Sequence, residues 1–232
     1  MAINVRHLAI VMDGNRRWAQ NRDVSIKQGH KEGAKTLQKV LDWCIELKLE
    51  YLTTYVFSTE NWSRSEDEVD FLMSVIVDNF SKYYEEALKK NVRVRVLGTK
   101  EHLSGKLRDV VNAIQEDTKN CTGLNLNLAF NYGGRQEIIE AVKAISKKVS
   151  LKELSVDEID EALLASHMYT KEIPDPELII RTGGEQRVSN FLTWQSIYSE
   201  FVFLDVLWPD FKLEDLKFAL SEFEGRNRRY GG

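Results

Sequence analysis

The sequence predicts an α/β fold, a mainly parallel β-sheet surrounded by helices, built as a single domain over residues 1–232. Short β-branched, apolar runs alternate with helix-period patterns from one end of the chain to the other, the order that wraps helices around parallel strands. There is no repeat, no low-complexity tract and no linker, and the three prolines, Pro174, Pro176 and Pro209, punctuate late loops. A hydrophobic content of 43% in 232 residues suffices for one substantial core.

Leu8–Met12 is the first strand candidate and runs into a loop rich in Gly, Asn and Arg. From Gly29 to Glu50, Ala34, Leu37, Val40, Leu41, Cys44 and Leu47 recur at steps of three and four, which is one apolar face of a helix. Tyr51–Ser58 reads as a strand, and Glu66–Lys89 as a long helix with Val69, Leu72, Met73, Ile76 and Phe80 on one side. Val92, Val94 and Val96 alternate with Arg93 and Arg95, the period of a strand with one polar face. A helix over Gly105–Lys119 and a strand over Leu124–Asn131 follow. Gly133-Gly134 breaks that strand, and Gln136–Lys148 resumes as helix. The polar stretch Lys147 to Lys171 reads as a surface connection with a short helix. Leu178–Ile180 and Tyr198–Phe203 are the last strands, and Lys212–Glu224 is the closing helix.

Composition narrows the function. A formal net charge of −4 with 29% charged residues and no basic stripe excludes a nucleic-acid partner. Cys44 and Cys121 have no CxxC partner and no metal-like spacing, which fits free thiols in a reducing compartment. No export signal is visible: Met1 to Leu8 lacks an apolar centre, and Asp13 cuts short the run Ile10–Met12. No run of about 18 apolar residues could span a bilayer, so the expected setting is cytoplasmic. GxxxxGK[ST], GxGxxG after the first strand, HExxH and Cys/His clusters are all missing, which excludes a P-loop NTPase, a dinucleotide fingerprint and a zinc site.

In open parallel sheets, ligands collect at the carboxyl ends of the strands. Just beyond successive strands stand Asp13-Gly14-Asn15-Arg16-Arg17-Trp18, Ser58-Thr59-Glu60-Asn61-Trp62-Ser63-Arg64, Asn131-Tyr132-Gly133-Gly134-Arg135 and Arg181 to Asn190. Four strand ends thus supply arginines, small residues and carboxylates to one concave anion site. Gly14 and its neighbours can present backbone N–H groups to phosphate, and Arg17 can add a bidentate contact. Asp13 is a hard oxygen ligand suited to magnesium alongside substrate phosphate. Arg181, Arg187 and Ser189 flank the Gly183-Gly184 turn, where two guanidiniums can converge on one diphosphate. His30 heads the first long helix and can meet an anion there. Blander readings stay open: an Asp-Gly turn with solvated arginines, a capping histidine and, for Glu200, a strand-end acid in place of a second metal ligand. The acidic run Glu66-Asp67-Glu68 with Asp70 complements a helix dipole, and Glu68 has loop closure over substrate as its alternative role.

With these loops assembled, the chain resembles the cis-prenyltransferase family over nearly its whole length, from His7 to the tail Arg226–Gly232. The motifs are Met12-Asp13-Gly14-Asn15-x-Arg17-Trp18-Ala19, Gly29-His30, Phe57 to Trp62, Asn131 to Arg135, Arg181-Thr182-Gly183-Gly184-Glu185-x-Arg187-x-Ser189-Asn190-Phe191 and Trp208-Pro209-Asp210-Phe211. The resemblance implies repeated condensation of isopentenyl diphosphate with an allylic diphosphate such as farnesyl diphosphate. It implies a product of undecaprenyl type for a cell-wall lipid carrier, Mg2+ as cofactor, a homodimer, an apolar substrate tunnel and transient contact with the inner membrane face. A product of another length, or a non-catalytic partner subunit, is the competing reading.

Carried over by position, the resemblance makes Asp13 the essential carboxylate, sharing Mg2+ with Glu200. It gives Gly14, Asn15, Arg16, Arg17 and His30 to the allylic diphosphate, and Arg181, Arg187 and Ser189, with Val188 between them, to isopentenyl diphosphate. Asn61, with Ser58, Thr59 and Glu60 nearby, matches the residue assigned to proton removal, while Trp18, Trp62 and Arg64 position substrate. Many relatives carry Arg where Ile26 stands, and adjacent Lys27 is the candidate replacement. Ser65 stands where proline is common, and Thr99 where Asp is frequent. Leu72, Met73, Ile76, Phe80, Val94, Val96 and Leu128 are candidates for the tunnel floor and equally for ordinary core. The tail Arg226 to Gly231 resembles a segment that reaches the neighbouring subunit's active site.

Overall fold

The structure, a computed structural model, describes residues 4–101 and 103–226, leaving aside the side chains of residues 78–84. Six strands, β1 (His7–Val11), β2 (Tyr51–Ser58), β3 (Arg93–Leu97), β4 (Asn125–Tyr132), β5 (Leu178–Arg181) and β6 (Glu200–Phe203), form one sheet in the order β3-β4-β2-β1-β5-β6. Every adjacent pair is parallel. Around it lie α1 (Asn15–Gln20), α2 (Ile26–Glu46), α3 (Glu66–Lys89), α4 (Gly105–Thr118), α5 (Gly134–Ser150), α6 (Glu161–Ser166) and α7 (Leu213–Glu224). The predicted α/β architecture is the one observed.

A parallel sheet is covered on both faces, so its central strands are apolar throughout. β1 is buried along its whole length. Leu8 and Ile10 belong to the larger core, together with Leu178 and Ile180 of β5 and Val40, Leu41 and Cys44 of α2. Ala9 and Val11 face the smaller core with Ile179, Phe191 and Leu192. This two-residue alternation sends the loop after β1 out at the carboxyl edge of the sheet, between the layers.

Several boundaries differ from the sequence reading, those nearest the site most usefully. The loop after β1 is mostly helix, because α1 begins at Asn15. Helix α2 begins at Ile26, ahead of the expected Gly29, since the Ser25 hydroxyl caps it by accepting from Gln28 N at 3.2 Å. It stops at Glu46, short of Glu50, where Lys48 takes a left-handed φ of 59°. The stretch after β2 closes into a 3₁₀ turn, Thr59–Ser63. The β2–β4 register slips between Tyr55 and Phe57 and again before Ser58, the kind of irregularity that re-aims side chains at a strand end. Among the described residues, no helix is long and apolar enough to cross a membrane.

Candidate active site

Two glycines make room for the mouth of the site. Gly14 sits at φ +120° with the backbone of Leu207 3.0 Å from where a Cβ would stand. Gly183 sits at φ +86°, where a Cβ would meet Arg17 Nη2 at 2.6 Å and Asp13 O at 3.1 Å. Both conformations favour glycine, and both let two loops close on Asp13. The Asp13 carbonyl is then fixed by Thr182, whose hydroxyl donates to it at 2.7 Å, and by Trp208 N at 3.0 Å.

The Asp13 carboxylate lies between two guanidiniums. Arg181 Nη2 is 2.9 Å from Oδ2, and Arg17 Nη2 is 3.2 Å from Oδ1. Arg181 is almost wholly buried, and its Nη1 also donates to Ser189 Oγ at 2.7 Å and to the Arg187 carbonyl. One carboxylate between two guanidiniums leaves this trio net positive, and Glu185 lies 4.0 Å from Arg17 Nη1 on its outer side. The Arg187 side chain turns outward to Glu185 at 2.5 Å.

A second charged cluster adjoins the 3₁₀ turn and the start of α3. Glu68 accepts from Arg64 Nη1 at 2.8 Å and lies 3.4 Å from Arg16 Nη1 and 4.0 Å from His30 Nε2. Burial, reinforced by Arg64 and Arg16, lowers the His30 pKa to about 4 against the opposing pull of Glu68, so the imidazole is neutral at pH 7. Between the clusters, Asn61 Oδ1 accepts from Ser58 N at 3.0 Å. Burial alone would raise the Glu60 carboxyl, but the Asn190 amide at 2.7 Å and neighbouring hydroxyls outweigh it and keep the group anionic.

Below this mouth opens a cavity of about 670 Å³. Its polar end carries Asp13, Asn15, His30, Ser58, Asn61, Arg64, Arg181 and Ser189. Its apolar end runs between α2 (Leu37, Leu41), α3 (Leu72, Val75, Ile76) and the sheet (Leu126, Leu128). An ionic mouth above a greasy channel suits a molecule with an anionic head and a hydrocarbon tail.

Comparison with known proteins gives the same answer. The family described as "Putative undecaprenyl diphosphate synthase" matches residues 11–231. The chain belongs to this prenyltransferase family. It is 48% identical to an isoprenyl transferase of Enterococcus faecalis, over 98% of this chain and 85% of the relative. It is 46% identical to the ditrans,polycis-undecaprenyl-diphosphate synthase ((2E,6E)-farnesyl-diphosphate specific) of Micrococcus luteus, over 98% of this chain and 90% of that one. Among solved structures, lavandulyl diphosphate synthase of Lavandula x intermedia, in complex with dimethylallyl diphosphate, superposes with a TM-score of 0.96 at 35% identity, covering 100% of both chains. A probable undecaprenyl diphosphate synthase of Campylobacter jejuni gives 0.83 at 35% identity over 99% of each chain.

In this prenyltransferase the structure brings Asp13, Arg17, Arg181, Ser189 and the Arg187 backbone together, and gathers Arg16, His30 and Arg64 around Glu68. It places Glu200 elsewhere. The β5–β6 register pairs Glu200 with Leu178 and Phe203 with Arg181, so Glu200 stands at the amino end of the sheet, opposite the mouth. Its carboxylate binds Arg226 at 2.8 Å. Within one chain, therefore, Glu200 does not share a metal ion with Asp13. His30 is also corrected: it lies in the second turn of α2, not at its head.

Trp18 and Trp62 stand outside the cavity wall, their indole N–H groups donating to Asp210 Oδ1 at 2.8 Å and Asn131 Oδ1 at 2.7 Å. Ile26, Lys27, Thr59 and Val188 are outside it too, and the Lys27 ammonium lies 5.0 Å from the Phe71 ring centroid. Of the tunnel-floor candidates, Leu72, Ile76 and Leu128 line the cavity, whereas Val94, Met73 and Val96 pack into the core. The Phe80 side chain and the tail beyond Arg226 lie outside the described residues. Sequence reading missed Tyr55 and Asn190 as wall residues. The Tyr55 phenol, pushed up in pKa by burial, points its single O–H between the Ser189 and Tyr132 carbonyls, each 3.3 Å away. Nothing but strand alternation pointed to it, and the register slip alters that alternation.

Among the described residues, no group of three or more His, Cys, Asp or Glu side chains is set to hold a metal ion. Asp13, at the cavity mouth, fits the other mode open to Mg2+, in which one carboxylate joins substrate phosphate oxygens.

Proposed function

We propose that this prenyltransferase condenses isopentenyl diphosphate repeatedly with an allylic diphosphate of farnesyl type, with cis geometry, to a polyprenyl diphosphate of undecaprenyl length for a cell-wall lipid carrier. The observation that carries the reading is the Asp13–Arg17–Arg181 mouth opening directly into the apolar cavity. The farnesyl specificity and undecaprenyl product in the name of the Micrococcus luteus relative support it.

In the reaction, the C1–O bond of the allylic diphosphate breaks and diphosphate leaves with the electron pair. C4 of isopentenyl diphosphate forms the new bond to C1, and the C2 proton passes to water or to a diphosphate oxygen, its C–H electron pair closing the new double bond. Arg181, Arg187 and Ser189 hold the diphosphate of isopentenyl diphosphate, and Gly14, Asn15, Arg16, Arg17 and Arg64 that of the allylic partner, while neutral His30 offers a hydrogen bond. Fixed donors of this kind stabilise charge that develops on a leaving group, and holding both reactants in attack geometry contributes about 7–11 kcal/mol. Asp13 would hold Mg2+ together with phosphate oxygens, and the bound ion would supply Lewis-acid stabilisation of the departing diphosphate. Asn61 positions the C2 proton for transfer. The apolar walls of α2 and α3 receive the lengthening chain.

A homodimer belongs to this reading. Ile197 and Tyr198, 73% and 62% exposed, precede the edge strand β6 and supply apolar surface for a second copy. Glu200 would serve a metal only across such a contact. Catalysis is placed in the cytoplasm, with product release at the membrane face.

Incubation of purified protein with Mg2+, farnesyl diphosphate and radiolabelled isopentenyl diphosphate, followed by sizing of the dephosphorylated product, is the direct test. A product of undecaprenyl length is expected. The likeness to lavandulyl diphosphate synthase favours, as a second reading, a short product, which the same sizing separates. No incorporation at all overturns both.

A further inference from the structure

Glu68 stands in the first turn of α3, where acids commonly serve the helix dipole. Its neighbours Glu66 and Asp67 do so from exposed positions, but Glu68 turns inward, with its side chain only 12% exposed. There it is met from three separate elements: Arg64 from the preceding turn, Arg16 from α1 and His30 from α2. Planar guanidiniums converging on two oxygens of one anion is the arrangement that otherwise surrounds a phosphate group. His30 Nε2 and Asn15 Oδ1, both on the cavity wall, are buried with no hydrogen-bond partner. The cluster therefore has unused polar groups beside an anion already in place. Lys27 lies against Phe71, and among the described residues Arg16 and Arg64 are the arginines that pair with Glu68.

We propose that Glu68 is a built-in anion surrogate: its carboxylate holds Arg16 and Arg64, and an entering diphosphate takes them over. Since α3 also forms one wall of the cavity through Leu72, Val75 and Ile76, this exchange unlatches the start of that wall from α1 and α2. The role presupposes the diphosphate-binding mouth proposed above.

Calorimetric titration of inorganic diphosphate, without divalent metal, into the wild type, Glu68→Gln and Glu68→Ala separates the two. Removal of the competing carboxylate should tighten binding about fivefold in both variants, the size expected for one partly exposed ion pair. The gain should vanish when Arg64→Ala is added. Thermal melting checks that each chain is folded, and either variant alone suffices. Equal or weaker binding by the variants overturns the surrogate role and leaves the diphosphate mouth standing. Failure of wild type and variants alike to bind removes both.

Discussion

Asp13 is the residue on which the mouth turns, and its two roles separate experimentally. Asp13→Asn keeps the shape and one acceptor oxygen but removes the charge and turns an amide N–H toward one guanidinium. Turnover should fall by at least about a hundredfold, with a smaller loss of Tm than in Asp13→Ala because one acceptor oxygen remains. Asp13→Ala should lose turnover equally and also melt lower, because Arg181, only 5% exposed, is left without its carboxylate. Removing one partner of a buried pair costs about 3–5 kcal/mol, and the second guanidinium and solvent on Asp13 put this site at the low end. Parallel rate and melting measurements on the two variants check both statements. Asp13, Arg17, Arg181 and Ser189 were legible in the sequence because each follows a recognisable strand, and strand ends converge. Glu200 was read as either a metal ligand or a strand-end acid, since a four-residue strand does not reveal which of its ends faces the ligand. His30 was read as a helix head because the cap, Ser25, lies outside the apolar periodicity that located α2.

At the scale of elements, the site depends on how closely α2 approaches the loop after β1. Gly33 allows it: a Cβ there would stand 2.2 Å from Asn15 Oδ1 and 2.9 Å from Trp208 Cδ1. Trp208 is fully buried and donates its indole N–H to the Gly33 carbonyl at 2.8 Å, so it has little freedom to retreat. Gly33→Ala should therefore destabilise by about 1–3 kcal/mol, read as a lower denaturant midpoint at unchanged m. On the opposite wall, Leu128→Phe places a larger side chain on the floor of the cavity. The radiolabelled product should become shorter while the rate of the first condensation is largely kept. Helix periodicity located α2 and α3 well. It could not separate lining from core, because Leu72 and Met73 satisfy the same apolar stripe and only the packed neighbours decide which one meets the channel.

For the molecule as a whole, two buried histidines set the acid limit of stability. His7, bonded through Nδ1 to the Pro174 carbonyl and through Nε2 to the Thr53 hydroxyl, is held by burial at a pKa of about 4, and His30 likewise. Unfolded histidine titrates near 6.5, so between these values the unfolded chain binds protons that the native state refuses. Stability then falls as pH drops from about 6.5 toward 4, by an amount of order 3 kcal/mol per imidazole, and these groups contribute no slope above about pH 7. Urea midpoints at pH 7 and pH 5 should differ less in His30→Gln than in the wild type. Sheet order has a consequence for biosynthesis. The central strand β1 is made before both of its neighbours, yet one of its two edges is completed only by β5, and Asp13 meets Arg181 across 168 residues of chain. A nascent polypeptide thus carries a half-paired, largely apolar strand until β5 has been made, a long-range closure that is slow and exposed to misassociation. Interrupted synthesis accordingly yields fragments that lack the mouth altogether.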